Sequence, residues 1–438
     1  MATLPDRKKV FAWTLWDAGG ASFNAIMTTF IFTALYLTSD VFGSETHTTQ
    51  VLSAGLTIAG VFIALLAPIS GQHADATGKR GFWLGINTFA TAILMALCFF
   101  VYPDPKFLWF GVTLIALANV VNEFAVVNYN ALLPRISTPA TVGKISGIGW
   151  ACGYFGGIIA LVLVMVLFIK PGILPLPEGD GSLIYRSIAL FSALWCVVFS
   201  LPLLLSLRGE SARTRQTSVK DAGPGGLAGI INAYKHLFNT VKRLYRTTPS
   251  TLYFLVTSAI FRDGLNGVFT FGGVLAAGSF GFSANEIIIF AIAGNVVAGA
   301  GALIGGSLDD KLGPKNVILG SLIGVLIAAT PILFLDGKPV FWVCGLALCA
   351  FVGPAQSAAR TYLARVSPPG EEGELFGLYS TTGRAASFLA PALFGLFVGL
   401  LGAQVWGVIG IMVVIALGLA MVLPLKPAPR LQNEESTF

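Results

Sequence analysis

Long apolar runs separated by short polar intervals recur along the whole chain. A transmembrane helix needs roughly 20 predominantly apolar residues, and this rule divides the sequence into spans. The spans lie near residues 10–38, 50–73, 80–102, 107–134, 144–169, 184–207, 250–278, 284–308, 315–335, 339–366, 374–400 and 403–424. The pattern therefore predicts an all-α integral membrane protein with twelve transmembrane helices.

The longest polar interval, residues 208–249, leaves six spans on either side. Its first part contains Gly223-Pro224-Gly225-Gly226, which is typical of a flexible linker. We therefore predict an N-terminal six-helix bundle at 1–207, a cytoplasmic linker with an amphipathic helix at 208–249, and a C-terminal six-helix bundle at 250–438.

The second part of this interval has the pattern of an amphipathic helix. Its apolar stripe consists of Ile230, Tyr234, Leu237, Phe238, Val241, Leu244 and Tyr245, and its polar positions include Lys235, Lys242, Arg243 and Arg246. A helix of this kind can lie on the anionic cytoplasmic leaflet. It can equally be a linker helix packed on the protein, and the pattern leaves both interpretations open.

The two halves of the chain contain related motifs. Arg135 and Arg365, 230 residues apart, lie in matching surroundings. The other matched pairs are Leu133 with Leu363, Ser137 with Ser367, Pro139 with Pro369, Gly143 with Gly373, Gly147 with Gly377 and Gly153 with Gly383. The loop at 71–80 likewise matches 306–315, which pairs Asp75 with Asp310. Two copies in one orientation predict parallel repeats about an axis along the membrane normal.

The composition excludes an ordinary soluble domain. Of the 438 residues, 55% are hydrophobic and only 11% are charged, whereas about a quarter of positions are charged in soluble domains. The five cysteines all lie in apolar runs, without the spacing of a metal site or a disulfide framework. We interpret them as small buried hydrophobic residues.

The basic residues indicate how the chain is oriented. Lys and Arg concentrate on the cytoplasmic side of short loops. With the N-terminus inside, twenty of them fall in inner segments, and the outer segments hold Lys106, Lys170, Arg186 and Lys338. Both termini are therefore predicted to be cytoplasmic, and the basic pI reflects these loops and no nucleic-acid partner. No cleavage site follows Arg7, Lys8 and Lys9, so we expect a retained first span and a bacterial inner (plasma) membrane.

The repeated loops, with their Gly…Asp…Gly-Lys-Arg pattern, resemble the cytoplasmic motif of the major facilitator superfamily. Further motifs are similar to the vacuole-effluxer family typified by yeast autophagy-related vacuolar permeases. These motifs are Trp13-Thr14-Leu15-Trp16-Asp17 with Ser22-Phe23, Tyr129 to Pro134, Ser146 to Gly157, Arg262-Asp263-Gly264, and Gln356 to Arg360 with Phe376 to Tyr379. The chain departs from that family after Asp17, where Ala18-Gly19-Gly20 replaces an expected Trp-Ala-Asn run. The resemblance implies two six-helix halves that rock around a midplane site, with helices 1, 4, 7 and 10 lining the cavity and amino acids as substrates.

Six charged residues lie in the interior of the predicted spans, away from their ends: Asp17, Glu123, Arg262, Asp263, Arg360 and Arg384. Charges inside a bilayer are costly and are usually functional. All but Arg384 fall on the four helices that the resemblance implies line the cavity. This agreement makes them the first candidates for a substrate or proton site.

Span 4 carries a polar stripe. Asn119, Glu123 and Asn130 share one helical face, and Asn122 and Tyr129 lie beside it. Lipid offers such groups no partners, so the stripe must face protein or water. It can form a substrate or proton site, or it can hold helices together through interhelical hydrogen bonds.

Spans 7 and 10 contribute a second polar set. Asp263 and Asn266 can face the same way, with Arg262 beside them. Asp263 can bind a substrate ammonium or a proton, or it can pair with Arg360 or Arg384 to close a gate. Gln356 and Arg360 are four residues apart, and the planar guanidinium of Arg360 suits a carboxylate. The alternative for Arg360 is pairing with Glu123 or Asp17.

A further set is assigned to gating. It comprises Asp75, Lys79, Arg80, Asp310, Lys315 and Arg384, with Lys311 nearby. Except for Arg384, which is the least central candidate, these residues lie at predicted cytoplasmic helix ends. There, charges can brace one conformation through contacts with helix termini.

Other chemistries find no support in the pattern. There is no Walker loop for ATP, no grouping suited to hydrolysis, and the three histidines form no metal cluster. We therefore expect no cofactor, no metal and no enzymatic activity. The sequence predicts a monomeric, proton-coupled secondary transporter of a small zwitterionic or anionic solute. Two alternatives stay open: an efflux pump for larger amphipathic compounds, and a non-transporting membrane receptor or assembly factor.

Overall fold

A computed structural model describes residues 6–138, 140–169, 181–207, 227–368 and 370–428. Within these ranges the regular elements are all helical. The Gly-rich first part of the predicted linker lies outside the described residues. The all-α prediction is confirmed.

The first half of the chain contains seven α-helices among its described residues. They are α1 (Arg7–Ser22), α2 (Glu45–Thr77), α3 (Arg80–Leu97), α4 (Leu108–Asn130), α5 (Leu133–Ile136), α6 (Val142–Val164) and α7 (Gly181–Leu207). Short 3-10 helices at Asp40–Phe42, Cys98–Phe100 and Pro105–Phe107 connect them.

The described residues of the second half contain eight α-helices. They are α8 (Leu227–Thr247), α9 (Pro249–Gly278), α10 (Ala284–Leu312), α11 (Pro314–Ala329), α12 (Lys338–Val366), α13 (Glu372–Ala386), α14 (Leu389–Leu401) and α15 (Gly407–Val422). Thr330–Leu333 and Gln404–Trp406 are 3-10 helices.

Ten helical segments of the described residues are long and apolar enough to cross a membrane. They coincide with predicted spans 2 to 6 and 8 to 12. Predicted spans 1 and 7 correspond to α1 with its continuation and to α9, and α9 carries two charged residues, Arg262 and Asp263. The helices are thus consistent with the twelve predicted spans.

Span 1 changes from α-helix to π-helix partway along its length. After Ser22 the chain continues as π-helix over Phe23–Phe30 and Phe32–Leu37. Thr33 donates its hydroxyl proton to the carbonyl of Thr28, five residues earlier, at 2.7 Å. The wider turn matters because π-helical segments are rare and often lie at functional sites.

Predicted span 11 is broken. A turn at Ser387 and Phe388 separates α13 from α14. The carboxylate of Asp263, on α9, accepts a hydrogen bond from the backbone N–H of Ala390 at 2.6 Å. Asp263 therefore satisfies one of the amides that a helix leaves unpaired at its N-terminus.

The chain divides into two compact units. Unit 1 contains residues 1–6, 131–151 and 225–438, and unit 2 contains residues 7–130 and 152–224. Unit 1 thus groups a segment from the first half of the sequence, which includes α5 and the start of α6, with the helices of the second half. The six-plus-six division at residues 208–249 stays a prediction.

Unit 2 has an apolar core in which Tyr36 is central. Its hydroxyl donates to the carbonyl of Val101 at 2.7 Å, and its ring stacks on Tyr185 with centroids 5.3 Å apart. Phe23, Met27 and Phe32 from the π-helical region are fully buried in the same cluster. The core therefore fixes the far end of span 1.

In unit 1, α10 and α12 cross closely. A β-carbon on Gly301 would collide with the carbonyl of Ala350, and one on Gly353 with the carbonyl of Ala298. Small residues allow such backbone contact between membrane helices. This crossing positions the part of α12 that carries Gln356 and Arg360.

Candidate functional site

In unit 2, three aromatic rings form a stack beside Asp17. The ring of Tyr129, on α4, lies between Trp13 and Trp16 of α1, with centroid distances of 4.4 Å and 4.3 Å. Trp13 donates its indole N–H to the carbonyl of Tyr129 at 3.1 Å. Trp16 donates to the hydroxyl of Thr88, on α3, at 3.0 Å. Both faces of the tyrosine ring are covered, so only its hydroxyl remains available for chemistry.

That hydroxyl is directed at the carboxylate of Asp17. The Tyr129 oxygen lies 3.3 Å from Oδ2 of Asp17, and the tyrosine is the donor to an ionised carboxylate. Asp17 is half-buried. A β-carbon on Gly153, of α6, would lie 3.4 Å from Oδ1 of Asp17. The structure therefore brings together two predicted site residues, Asp17 and Tyr129, with Gly153 beside the carboxylate.

The remaining polar residues of α4 differ in exposure. Asn119, Glu123 and Asn130 are half-buried, whereas Asn122 is 8% exposed. Asn128, a neighbour of the stripe, is fully buried and donates its amide to the carbonyl of Phe124 at 2.9 Å. The first three residues thus remain the more accessible part of the stripe.

In unit 1, Arg360 is 4% exposed and is held by Ser146. Its Nε–H donates to the serine Oγ at 3.0 Å, and a terminal nitrogen donates to the serine carbonyl at 2.6 Å. The hydroxyl of Ser357 lies 3.0 Å from that of Ser146. The guanidinium carbon is 5.6 Å from the ring centroid of Trp150. The start of α6 therefore fixes the orientation of Arg360.

Sequence reasoning did not assign Ser146 a role. A usable signal was present, because Ser146 opens the glycine-rich block that the family resemblance singled out. A serine there offers both a hydroxyl and a carbonyl to a buried guanidinium.

Asn266 and Gln356 are also in contact. The amide of Gln356, which is 6% exposed, donates to Oδ1 of Asn266 at 3.3 Å. Asn266 is exposed. Because Gln356 lies one turn before Arg360 on α12, the pair extends the polar surface next to the guanidinium.

Arg262 and Asp263 point to different partners. The guanidinium of Arg262 lies 3.8 Å above the ring centroid of Tyr379 and donates to that residue's carbonyl at 3.4 Å. Asp263 contacts the amide of Ala390. Arg384 is half-buried on α13. The adjacent charges of α9 are thus directed at the two halves of the broken span.

Asp310 holds the N-terminal end of α6. Its two carboxylate oxygens accept hydrogen bonds from the N–H groups of Gly143 and Lys144, at 2.7 Å and 2.8 Å. Arg365 lies 3.3 Å from Asp310 and 2.9 Å from the fully buried Asp309. Asp309 also accepts a hydrogen bond from the hydroxyl of Thr361. A carboxylate at a helix N-terminus is stabilised by the helix dipole.

Backbone contact accompanies this ionic cluster. Gly147 of α6 faces Gly306 of α10, and a β-carbon on Gly147 would lie 2.9 Å from the α-carbon of Gly306 and would collide with the carbonyl of Ala302. The first part of α6 is therefore clamped against α10 by both charge and close packing. Sequence reasoning proposed Asp310 but missed Asp309 and Arg365; the doubled carboxylate in the second loop was the signal.

The other predicted gating residues make local contacts. Asp75 and Arg80 form an ion pair in unit 2, and both side chains are nearly buried. Lys315 donates to the carbonyls of Leu423 and Leu425, at 2.7 Å and 2.6 Å. Lys79 is exposed. The two copies of the repeated loop thus differ, because Asp310 caps α6 whereas Asp75 pairs with its neighbour.

The sequence matches a known protein family and several relatives in it. The model of the family described as "Vacuole effluxer Atg22 like" matches residues 36–430. YxiO of Bacillus subtilis (strain 168), named an uncharacterized MFS-type transporter, is 22% identical over 423 residues, which are 94% of this chain and 94% of that protein. Autophagy-related protein 22 of Cryptococcus neoformans var. neoformans serotype D (strain JEC21) is 23% identical over 304 residues, 63% of this chain and 49% of that protein. The match therefore spans about half the length of this fungal relative.

Solved structures show the fold. The proton:xylose symporter XylE matches with a TM-score of 0.70 and 15% identity, over 95% of this chain and 94% of that one. FucP in its outward conformation matches with a TM-score of 0.68 and 12% identity, over 94% and 97%. The predicted major facilitator fold is thus confirmed, and so is a multi-pass membrane protein. The chain belongs to the Atg22-like vacuole-effluxer family, within the major facilitator superfamily of transporters.

Proposed function

We propose that this transporter moves a small zwitterionic or anionic organic solute by alternating access and is coupled to protons. The observation that supports this most is the fixed guanidinium of Arg360. Ser146 orients it through two hydrogen bonds within a membrane span, and such a planar donor recognises carboxylates by paired hydrogen bonds. The Asn266–Gln356 pair adds neutral donors and acceptors one turn away.

Asp17, in unit 2, is the carboxylate that we propose binds a proton or an ammonium group. Its carboxylate accepts a hydrogen bond from Tyr129 and lies beside Gly153, which has no side chain. Glu123 and Asp263 are further carboxylates within spans to which we assign a candidate proton role. The proton:xylose symporter among the structures of this fold supports proton coupling as part of the proposal.

The proposed setting is a bacterial inner (plasma) membrane, with both termini cytoplasmic and the chain acting as a monomer. The excess of basic residues in alternate loops supports this orientation.

Transport of radiolabelled amino acids and organic acids into proteoliposomes tests the role of Arg360. The substitution Arg360→Lys keeps the charge but removes the planar fork. We expect the transport rate at low substrate concentration to fall by a factor of about 10 to 100, because a charge-assisted hydrogen bond contributes roughly 1.5–3 kcal/mol.

Arg186→Lys is the matched control. Arg186 is 5% exposed, and its guanidinium lies 4.1 Å from the ring centroid of Tyr102, so it is also buried but belongs to no proposed site. Its variant should transport within about twofold of the parent. Equal rates in Arg360→Lys and the parent would contradict the assignment of Arg360 to the substrate.

A further inference from the structure

The amphipathic helix α8 presents two distinct faces. On one face, Thr240 and Leu244 are each 3% exposed, and Leu237 and Val241 are half-buried. This face packs on the protein. The apolar stripe of the sequence is therefore divided, because part of it does not face inward.

The opposite face combines aromatic and basic side chains. Phe238 is 69% exposed and Tyr245 is 70% exposed. They are seven residues apart, so they lie on the same side of the helix and about 10 Å apart along its axis. Lys235, Lys242 and Arg246 are also exposed and fall within about 80° of Phe238 around the axis. We call these five residues the aromatic-basic face.

Two contacts fix this face relative to the membrane spans of unit 1. Only Thr248 separates α8 from α9, and its N–H bonds to the carbonyl of Leu244 at 2.9 Å. Arg243 donates to Glu371, which directly precedes α13, at 2.6 Å. The helix is therefore attached at the ends of two spans, and both ends are predicted to lie on the cytoplasmic side.

We propose that the aromatic-basic face binds the anionic phospholipids of the cytoplasmic leaflet. The charges of this face are of one sign, which complements a negative lipid surface. Exposed aromatic rings between cations are typical of helices that lie in the headgroup region. A shallow groove of about 540 Å³, lined by Tyr234, Lys235, Phe238 and Asn239, adjoins the face and can accept part of a lipid. Under this proposal both sequence interpretations of this segment apply, one to each side of the helix.

Hydrogen–deuterium exchange of the full chain in nanodiscs tests the proposal. Nanodiscs contain phosphatidylcholine with 0 to 40% phosphatidylglycerol. We expect exchange over residues 234–247 to slow by at least threefold as the anionic lipid increases. Lys242→Gln should raise the phosphatidylglycerol fraction that gives half of the maximal slowing of exchange by about fivefold. This is the factor that corresponds to the loss of one basic contact of about 1 kcal/mol. Lys235→Gln/Lys242→Gln/Arg246→Gln should abolish the effect.

The matched control removes three exposed basic residues elsewhere on the predicted cytoplasmic side: Arg7→Gln/Lys8→Gln/Lys426→Gln. It should behave as the parent does. Phe238→Ala/Tyr245→Ala tests the aromatic part and should weaken the effect while keeping the charges. Soluble glycerol phosphate at the same concentration should give no protection.

Three outcomes would overturn the proposal. The first is exchange that does not depend on phosphatidylglycerol in the parent chain. The second is protection that survives in the triple glutamine variant. The third is protection that appears only in nanodiscs loaded with two copies, which would assign the face to self-association.

Discussion

At the scale of single residues, two hydroxyl groups position the charges proposed for substrate recognition. Tyr129 bonds to Asp17 and Ser146 bonds to Arg360. In each case the charged residue was identifiable from the sequence, because a charge in an apolar run stands out. The hydroxyl partner was harder to recognise, because serine and tyrosine occur in membrane spans for many structural reasons.

Tyr129→Phe tests whether the hydroxyl positions Asp17. The ring stays stacked between Trp13 and Trp16, and only the hydrogen bond is lost. We expect the KM for transport to rise by about tenfold, the lower end for a bond to a charged group, given its length of 3.3 Å.

Tyr36→Phe is the control for this variant. The Tyr36 hydroxyl bonds to the carbonyl of Val101 in the core of unit 2, so its loss should lower the thermal midpoint and leave the KM of the folded protein unchanged. If Tyr129→Phe changes only the thermal midpoint, its hydroxyl has a purely structural role.

At the scale of helices, span positions followed from hydropathy, but two irregularities did not. The π-helix after Ser22 and the break at Ser387 both lie in apolar runs, and hydropathy does not distinguish an α-helical register from a wider one. At the break, Asp263, more than 100 residues away, accepts a hydrogen bond from the amide of Ala390 near the start of α14. A contact of that range leaves no local signal.

Substitutions of Asp263 separate its capping role from a proton role. Asn can still accept a hydrogen bond from Ala390, whereas Ala cannot. We expect Asp263→Ala to destabilise the protein by roughly 1–3 kcal/mol, the cost of a buried unpaired polar group, and Asp263→Asn to cost much less.

Thermal unfolding in detergent and pH-gradient-driven uptake measure the two roles. A stable Asp263→Asn variant that loses the response to the pH gradient would assign the proton to Asp263. Wild-type stability in Asp263→Ala would contradict the capping role.

At the scale of the whole molecule, the repeat in the sequence predicted that the two loops correspond. It did not predict that they differ in use. Asp310 caps α6 within unit 1, whereas Asp75 pairs with Arg80 within unit 2. The grouping of residues 131–151 with the second half arises from contacts such as Asp310 to Gly143, which join residues far apart in the sequence. Hydropathy and the repeat identify the two loops that contain Asp310 and Gly143, but they do not show that these residues contact each other.

Asp310→Ala should loosen the start of α6. Two hydrogen bonds to a carboxylate are lost, so we expect amide exchange at Gly143 and Lys144 to accelerate by at least tenfold. Asp104→Ala is a suitable control, because Asp104 accepts a hydrogen bond from the N–H of Lys106 in an exposed loop far from α6 in the sequence. Unchanged exchange in Asp310→Ala would show that the glycine contact alone holds the helix.

The close contact between Gly147 of α6 and Gly306 of α10 limits which substitutions this chain can accept. Adding one methyl group at Gly147 would drive α6 away from α10. Even the substitution of Gly147 by alanine is therefore expected to be destabilising. At Gly153, beside Asp17, a β-carbon would lie 3.4 Å from Oδ1, which is ordinary van der Waals contact, so an alanine can be accommodated there. Substitutions that alter substrate preference should therefore be tolerated more readily beside Asp17 in unit 2 than at the contact between Gly147 and Gly306.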